Sequence, residues 1–361
     1  DDAVVFGGTG FIGRWLVHEL LATREGQVHV AARSEDSAYR LRQWLSEGPV
    51  ALDRQVDRDR LAVHIFDASQ IRVDQQTSAT ELLPTLPTSR IRDVYNAAAA
   101  FEFGMTGARA RDINVGLTQA VAHLAADLPN IRRLVHVTGY RIAAHGGVAA
   151  PWDEAYRNQM YSGLGAYEAS KMESDAVVRD IAARRSVPLT VINPSAVIGD
   201  SVTGQAPIQP GLAPMMIDLA QGRLRAIPGA RDTWIPIVPV DYVAAFMARV
   251  PAAADAAGQD YWLLDDATPE LPTLIADAAD VLGVRAPRIR IPLRLLQALP
   301  SSWTGADPEA LSFLSSDRYP TESARELASR WGLEFPSYSE VLAAWVRYLT
   351  APHSAASVAS K

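Results

Sequence analysis

With 361 residues and 48% hydrophobic composition, the chain has the apolar material for one large domain or two modest ones. A net charge of −7 without a prominent basic run argues against a nucleic-acid partner, and the absence of cysteine removes disulfides, thiolate nucleophiles and cysteine metal sites together. No uncharged apolar stretch approaches the roughly 20 residues of a membrane span and no signal peptide precedes the first apolar run, which predicts a cytoplasmic protein.

Residues 3–6 form a short apolar run, followed without a gap by Gly7-Gly8-Thr9-Gly10-Phe11-Ile12-Gly13 and then by residues 14–21 at helical spacing. This reads as strand, glycine turn and helix. Glycines at these positions let the chain turn sharply, let a diphosphate approach the backbone, and let the helix pack close to the strand, with the helix N-terminus facing an anion. A second strand at 28–32 completes the dinucleotide-binding unit where that fold requires it. Its end is where such a fold reads the adenosine ribose: a carboxylate accepts from a free 2′-hydroxyl, whereas an arginine pairs with a 2′-phosphate. Arg33 stands there and favours NADP, while Glu35 and Asp36 keep NAD open. Arg40 and Arg42 add positive charge on the next helix or simply form its solvated face.

The third strand is read at 61–66 and ends at Asp67-Ala68, a position suited to an adenine contact. A polar stretch with Pro84 and Pro87 marks a loop. The run 91–95 then leads into Asn96, Ala97, Ala98, Ala99 and Ala100, small residues that let backbone lie against a cofactor. A helix from Asn114 to about Asp127 and a fifth strand over 132–137 follow, closing on Thr138-Gly139-Tyr140. After a loop with His145, Gly146, Gly147, Pro151 and Trp152, Tyr167 and Lys171 fall at i and i+4, on one helix face. A nearby ammonium lowers a phenol's pKa from about 10 and prepares it to exchange a proton with a carbonyl or alcohol oxygen.

The sixth strand spans 189–192, and Pro207, Pro210 and Pro214 mark an excursion ending near Trp234. In an open sheet ligands sit outside the carboxyl ends of the strands, so this insertion is placed to cover a substrate. Met215, Met216 and Ile217 either line that pocket or form the core face of a helix, the latter being favoured. Asp241 suits the N-cap of a helix, and 259–264 reads as a further strand. Beyond 266 the pattern changes to helices separated by proline, at 271–282, 293–299, 321–331 and 338–349, and the small polar stretch 351–361 is expected to be disordered. The histidines are scattered, and no metal site is expected.

Gly7-x-x-Gly10-x-x-Gly13, Asn96-Ala97-Ala98, Asn114-Val115-Gly116, Tyr167-x-x-x-Lys171, Asn193-Pro194-Ser195-x-Val197-Ile198-Gly199 and Pro239-Val240-Asp241-Tyr242-Val243 occur in the order seen in extended short-chain dehydrogenases/reductases. Within that superfamily the chain resembles the thioester-reductase and fatty acyl reductase (male-sterility-like) branch. The nearer hints are Arg33, Asp200-Ser201-Val202-Thr203-Gly204, and Gly229-Ala230-Arg231-Asp232 leading into Val238. The resemblance implies an α/β fold: a doubly wound parallel sheet of Rossmann type over 1–199, to which 235–265 return. It also implies a smaller, mainly helical substrate domain from 200–234 and 266–350.

By the same resemblance Gly7, Thr9, Gly10, Phe11, Ile12 and Gly13 cradle the diphosphate of NADP(H), Arg33 and Arg42 meet the 2′-phosphate, and Asp67 and Ala68 meet the adenine. Ala97, Ala98, Ala99 and Asn114 lie along the cofactor. Tyr167 is the proton donor and Lys171 binds the nicotinamide ribose, while Asn193, Pro194, Ser195 and Val197 line the nicotinamide end. Three positions depart from the pattern: Asn193 replaces the usual arginine, Ser195 a glycine, and Gly139 the hydroxyl residue that assists the tyrosine, so that either Thr138 turns inward to supply that hydroxyl, the favoured reading, or the site works with one hydrogen bond fewer. The implied function is NADPH-dependent reduction of a carbonyl, either an acyl thioester on a carrier protein or coenzyme A, or a ketone or aldehyde. A sugar-nucleotide epimerase or dehydratase, and a non-catalytic nucleotide sensor on the same fold, are the alternatives.

Overall fold

The computed structural model describes residues 1–47, 56–66, 71, 73, 79–99, 105–142, 148–206, 211–298 and 314–351. The expected adenine contact at Asp67 and Ala68, the loop residues His145, Gly146 and Gly147, Ala100, Pro207 and Pro210, and the tail from 352 lie outside them. The chain divides into two compact units, residues 1–194 with 243–263, and residues 195–242 with 264–361.

In the first unit, β1 (Asp2–Phe6) enters α1 (Phe11–Thr23), and β2 (Val28–Ala32) enters α2 (Glu35–Glu47). Next come β3 (Leu61–Ile65), the short α3 (Ala79–Leu82) and β4 (Ile91–Asn96). The single turn α4 (Gly107–Ala110) runs through a π-helical turn (Arg111–Gly116) into α5 (Leu117–Asp127), where a uniform helix from Asn114 was expected. Then follow β5 (Arg133–Val137), α6 (Glu154–Leu164), α7 (Ala166–Arg185) and β6 (Leu189–Pro194). With β10 (Asp260–Leu263), these strands form one parallel sheet in the order β3-β2-β1-β4-β5-β6-β10.

Strand order reverses between β1 and β4, so the crevice outside their carboxyl ends is the place where an open sheet of this kind takes a ligand. The inner strands β1, β2, β5 and β6 are buried on both faces, as expected when helices cover the two sides of a parallel sheet, while the edge strand β3 is partly exposed. A core of Val4, Phe6, Val94, Leu124, Leu134 and Val191 lies under α5 and α7. One buried carboxylate ties the helices beside it: Glu173 on α7 accepts from Arg111 (3.0 Å), Arg157 (2.9 Å) and the Tyr161 hydroxyl (2.9 Å). Two guanidiniums and a hydroxyl offset the cost of burying that charge.

The second unit begins earlier than the expected break at 199. Past Pro194 the chain leaves the large sheet, and β7 (Ala196–Ile198) pairs with β9 (Ile237–Pro239) instead of extending β6. The return to the first unit comes at 243 and not at 235 for the same reason. Between these strands lie α8 (Leu212–Ala220) and β8 (Ala226–Pro228). Met216 is fully buried with Leu212, Ala213 and Leu219 along α8, so it belongs to that helix's core face. Asp241 lies inside the first turn of α9 (Val240–Arg249) and not at its cap. Its carboxylate accepts from the Ser201 amide (3.0 Å) and the Ser201 hydroxyl.

Beside Ser201, the buried Asp200 accepts from the amides of Val202, Thr203 and Gln205, which closes the loop after β7. The rest of the unit is α10 (Leu271–Leu282), β11 (Ile289–Ile291) paired with β8, α11 (Leu293–Ala298), α12 (Glu322–Arg330) and α13 (Tyr338–Thr350).

Candidate active site

The turn between β1 and α1 has almost no room for a side chain. At Gly7 (φ +82°) an added Cβ would sit 2.6 Å from the Ala97 carbonyl carbon and the Ala98 nitrogen, and at Gly13 it would sit 2.0 Å from the Gly7 oxygen. Both contacts are with backbone, which cannot swing aside. They bring the start of α1 against the residues that follow β4, where the Ala97 amide donates to the Phe6 carbonyl (3.0 Å).

Gly10 stands at the N-cap of α1, is exposed, and offers no side-chain cap, and the first turn carries no acidic residue. The orphan amides of that turn therefore remain available to an anion. Thr9, Phe11 and Ile12 flank it, half-buried. At the end of β2, Arg33 is exposed and has no ion-pair partner among the described residues. On α2, Arg40 is paired with Asp36 one turn away, while Arg42 is exposed. A helix N-terminus whose first turn carries no competing carboxylate fits the diphosphate of a nicotinamide dinucleotide.

The second cluster is built on α7 and the ends of β4, β5 and β6. Lys171 is 4% exposed and donates from Nζ to the Val137 carbonyl, the last residue of β5, at 2.9 Å. Burial pushes its ammonium down to about 8, against an opposing pull from Asp175, one turn further along α7. Tyr167 lies one turn before it and is half-buried. Its turn is braced from the π-helical segment: Asn114 Nδ2 donates to Ser170 Oγ (2.9 Å), and Ser170 Oγ donates to the Tyr167 carbonyl (2.9 Å). Asn114 therefore acts on the tyrosine's backbone, a link that passes through Ser170, which the sequence did not single out.

Beneath the lysine, His136 is buried and is held well below its usual pKa, first by burial and then by the charges of Lys171 and Arg179. It is neutral, and its Nδ1 accepts from Asn96 Nδ2 (3.2 Å), which also donates to Thr118 Oγ1 (3.2 Å). Asn96 belongs to a motif read in the sequence, but its meeting with Thr118 and His136 was not legible there, because three separate elements supply the three residues.

Strand β5 ends at Val137, so Thr138 is already past it. The Thr138 amide donates to the Ile192 carbonyl (2.9 Å), and its hydroxyl donates to Asn193 Oδ1. Asn193 is fully buried and its Nδ2 has no hydrogen-bond partner among the described residues. Gly139 has open space, with the nearest atom to an added Cβ being Ile142 Cγ1 at 3.7 Å. Pro194 closes β6, and its carbonyl accepts from the Tyr140 amide (3.1 Å). Ser195 and Val197 belong to the second unit, where Val197 pairs with Val238, so they are not on the sheet that carries Asn193.

With the glycine turn and the Tyr167–Lys171 helix in place, comparison with known proteins becomes decisive. An NAD-binding family described as male sterility protein matches residues 5–247. The chain belongs to this family. Membership sets it in the extended short-chain dehydrogenase/reductase superfamily. The curated protein "Fatty acyl-CoA reductase wat" of Drosophila melanogaster is 26% identical over 313 residues, 77% of this chain. The match covers 58% of that relative, little more than half its length.

Among solved structures, the terminal R domain of the myxalamid PKS-NRPS biosynthetic pathway has a TM-score of 0.71 at 19% identity, covering 96% of this chain and 90% of that one. A thiolation-reductase di-domain from an archaeal non-ribosomal peptide synthetase reaches 0.69 at 16%, covering 96% and 75%. A UDP-glucuronic acid 4-epimerase from Bacillus cereus, in complex with UDP-glucuronic acid and NAD, reaches 0.67 at 14%, covering 97% and 99%. At these identities the likeness is one of fold, shared by reductases and epimerases alike. No helix among the described residues of this family member is long and apolar enough to cross a membrane, and no described group of His, Asp or Glu is arranged to hold a metal.

Proposed function

We propose that the protein is an NADPH-dependent reductase of acyl thioesters, carried by coenzyme A or by a carrier protein, with ketones and aldehydes as the wider substrate class. The observation that carries this reading is Lys171, a buried ammonium tied to the end of β5 one helical turn from Tyr167. The fatty acyl-CoA reductase relative and the reductase domains among the structural neighbours support the thioester over other carbonyls.

In this reading the bound nicotinamide supplies a hydride to the carbonyl carbon. Tyr167 gives its phenolic proton to the carbonyl oxygen, and the Lys171 ammonium favours the phenolate left behind. The amides at the start of α1 hold the diphosphate, and Arg33 holds the 2′-phosphate. Reduction of a thioester by one hydride and one proton then releases an aldehyde and a free thiol. The test is a cofactor-oxidation screen over octanoyl-coenzyme A, aldehydes and ketones. Oxidation that depends on the thioester is expected, whereas sugar-nucleotide turnover without net oxidation would replace this reading with an epimerase.

Arg33→Ala is expected to weaken NADPH binding about tenfold or more and leave NADH nearly unchanged, because a charge-assisted contact to phosphate contributes roughly 1.5 to 3 kcal/mol. Titration of both cofactors against the unmodified protein and the variant checks this. Equal affinity of the unmodified protein for the two cofactors removes the role.

A pH dependence follows from Lys171. Its charged form dominates below about 8 and is lost above it. The logarithm of kcat/KM should therefore fall as pH rises through that value. Asp175→Asn removes the carboxylate that pulls the lysine upward, so the fall should begin at lower pH. A profile flat across that region in both proteins takes the lysine's charge out of the reaction.

A further inference from the structure

We propose that Lys171 is the amine at which a product aldehyde condenses, so that an imine on its Nζ reversibly closes the site when product accumulates. The inference rests on the reductase reading above, which forms an aldehyde beside Tyr167, but its chemistry needs only the lysine and an aldehyde.

Composition narrows the nucleophiles first. Of the 34 Lys and Arg residues only Lys171 and Lys361 are lysines, and there is no cysteine. Arginine keeps its proton throughout the ordinary pH range and offers no amine lone pair. An aldehyde meeting this chain therefore finds no thiol, and before the last residue it finds a single side-chain amine.

That amine lies where the proposed reaction ends. Lys171 is one turn from Tyr167 on α7, reaches the carboxyl end of β5, and is buried. No carboxylate among the described residues is within ion-pair reach of it: Asp175, one turn further along, is held by Arg179 at 2.8 Å. The other ionisable groups beside it are His136 on β5, which is neutral, and the Tyr167 phenol. A buried ammonium whose hydrogen-bond acceptor is an uncharged carbonyl loses its proton more readily than one in water, and burial accordingly brings it down to about 8. Deprotonation leaves an N–H for the Val137 carbonyl and frees a lone pair. A desolvated amine held in place is what a Schiff-base lysine requires.

The step balances without a redox partner. The Nζ lone pair forms a C–N bond to the aldehyde carbon, the C=O π pair moves to oxygen, and that oxygen takes the proton the nitrogen gives up. Loss of water then makes the C=N bond, so amine and aldehyde become imine and water, and hydrolysis reverses it. While the imine stands, its alkyl chain fills the place beside Tyr167 that a carbonyl substrate needs.

The test treats the unmodified protein with octanal and sodium cyanoborohydride, which delivers hydride to the imine carbon and fixes it as a secondary amine. Peptide mass spectrometry then maps the octyl groups. Near pH 7, Lys171 should be alkylated about tenfold or more faster than Lys361, since a lysine of ordinary pKa, about 10.4, holds far less neutral amine. The Lys171 rate should climb as pH rises through about 8 and then level off. Tyr167→Phe keeps the lysine and loses the acid, and should be alkylated like the unmodified protein. Without the reductant, octanal should inhibit turnover and dialysis should restore it.

Alkylation of Lys361 alone, or of both lysines at equal rates, overturns the proposal, as does inhibition by octanal that dialysis does not relieve. Octyl-Lys171 in a protein that reduces no thioester would refute the function proposed above and leave the adduct site standing. Thioester reduction with Lys171 untouched by octanal would do the reverse.

Discussion

Tyr167→Phe should leave the protein folded and its NADPH affinity unchanged while turnover falls by about 100-fold or more. The substitution removes one hydroxyl and little volume from a half-buried position. The Tyr167 carbonyl accepts from Ser170, which accepts from Asn114, and the substitution keeps both of these bonds. The loss should therefore appear in kcat with KM little moved, which a merely structural tyrosine would not produce. Lys171→Met offers a contrast: it also removes the donor to the Val137 carbonyl, and so should disturb cofactor binding as well as turnover. Normal turnover by Tyr167→Phe would require another acid and demote the pair to an ordinary helix face.

Thr138→Val should slow turnover by roughly 100-fold or more if the threonine turns its one hydroxyl proton from Asn193 Oδ1 to the substrate oxygen beside Tyr167, as expected when a donor to developing oxygen charge is removed. The geometry adds a second consequence. Thr138 Oγ1 donates to Asn193 Oδ1, and Asn193 Nδ2 has no partner among the described residues, so the variant buries a carboxamide with neither end paired by any described residue. A stability loss of about 1 to 3 kcal/mol should accompany the kinetic one and show as a lower melting temperature. Gly139→Ser is the control, since its new Cβ meets nothing closer than 3.7 Å and should fold without strain. A fully active Thr138→Val beside a Gly139→Ser of raised activity would mean that the native site works with one hydrogen bond fewer.

The glycine turn was legible in the sequence because its constraint is local. Gly13 is required by the Gly7 backbone a few residues away and Gly7 by its own positive φ, both local demands, while the crowding of Gly7 by Ala97 and Ala98 comes from the neighbouring strand end and adds to them. The Tyr167 and Lys171 pair was legible for a similar reason, since helical periodicity alone sets two residues one turn apart on one face. Alternation of strands and helices likewise implied the parallel doubly wound sheet found in the first unit.

What depended on elements far apart in the chain was decided only by the tertiary structure. Asn96, Thr118 and His136 meet because β4, α5 and β5 pack together, and Asn193 takes the Thr138 hydroxyl because β6 lies beside β5. The departure of β7 from the large sheet to pair with β9 moved the division between the units to Pro194. The stretches around 226–228 and 289–291 are unremarkable in one dimension, and only the pairing of β8 with β11 makes them neighbours. Local steric demands and helical spacing are written within a few residues of chain. Which strand becomes whose neighbour depends on the packing of the whole fold, and short-range pattern does not encode it.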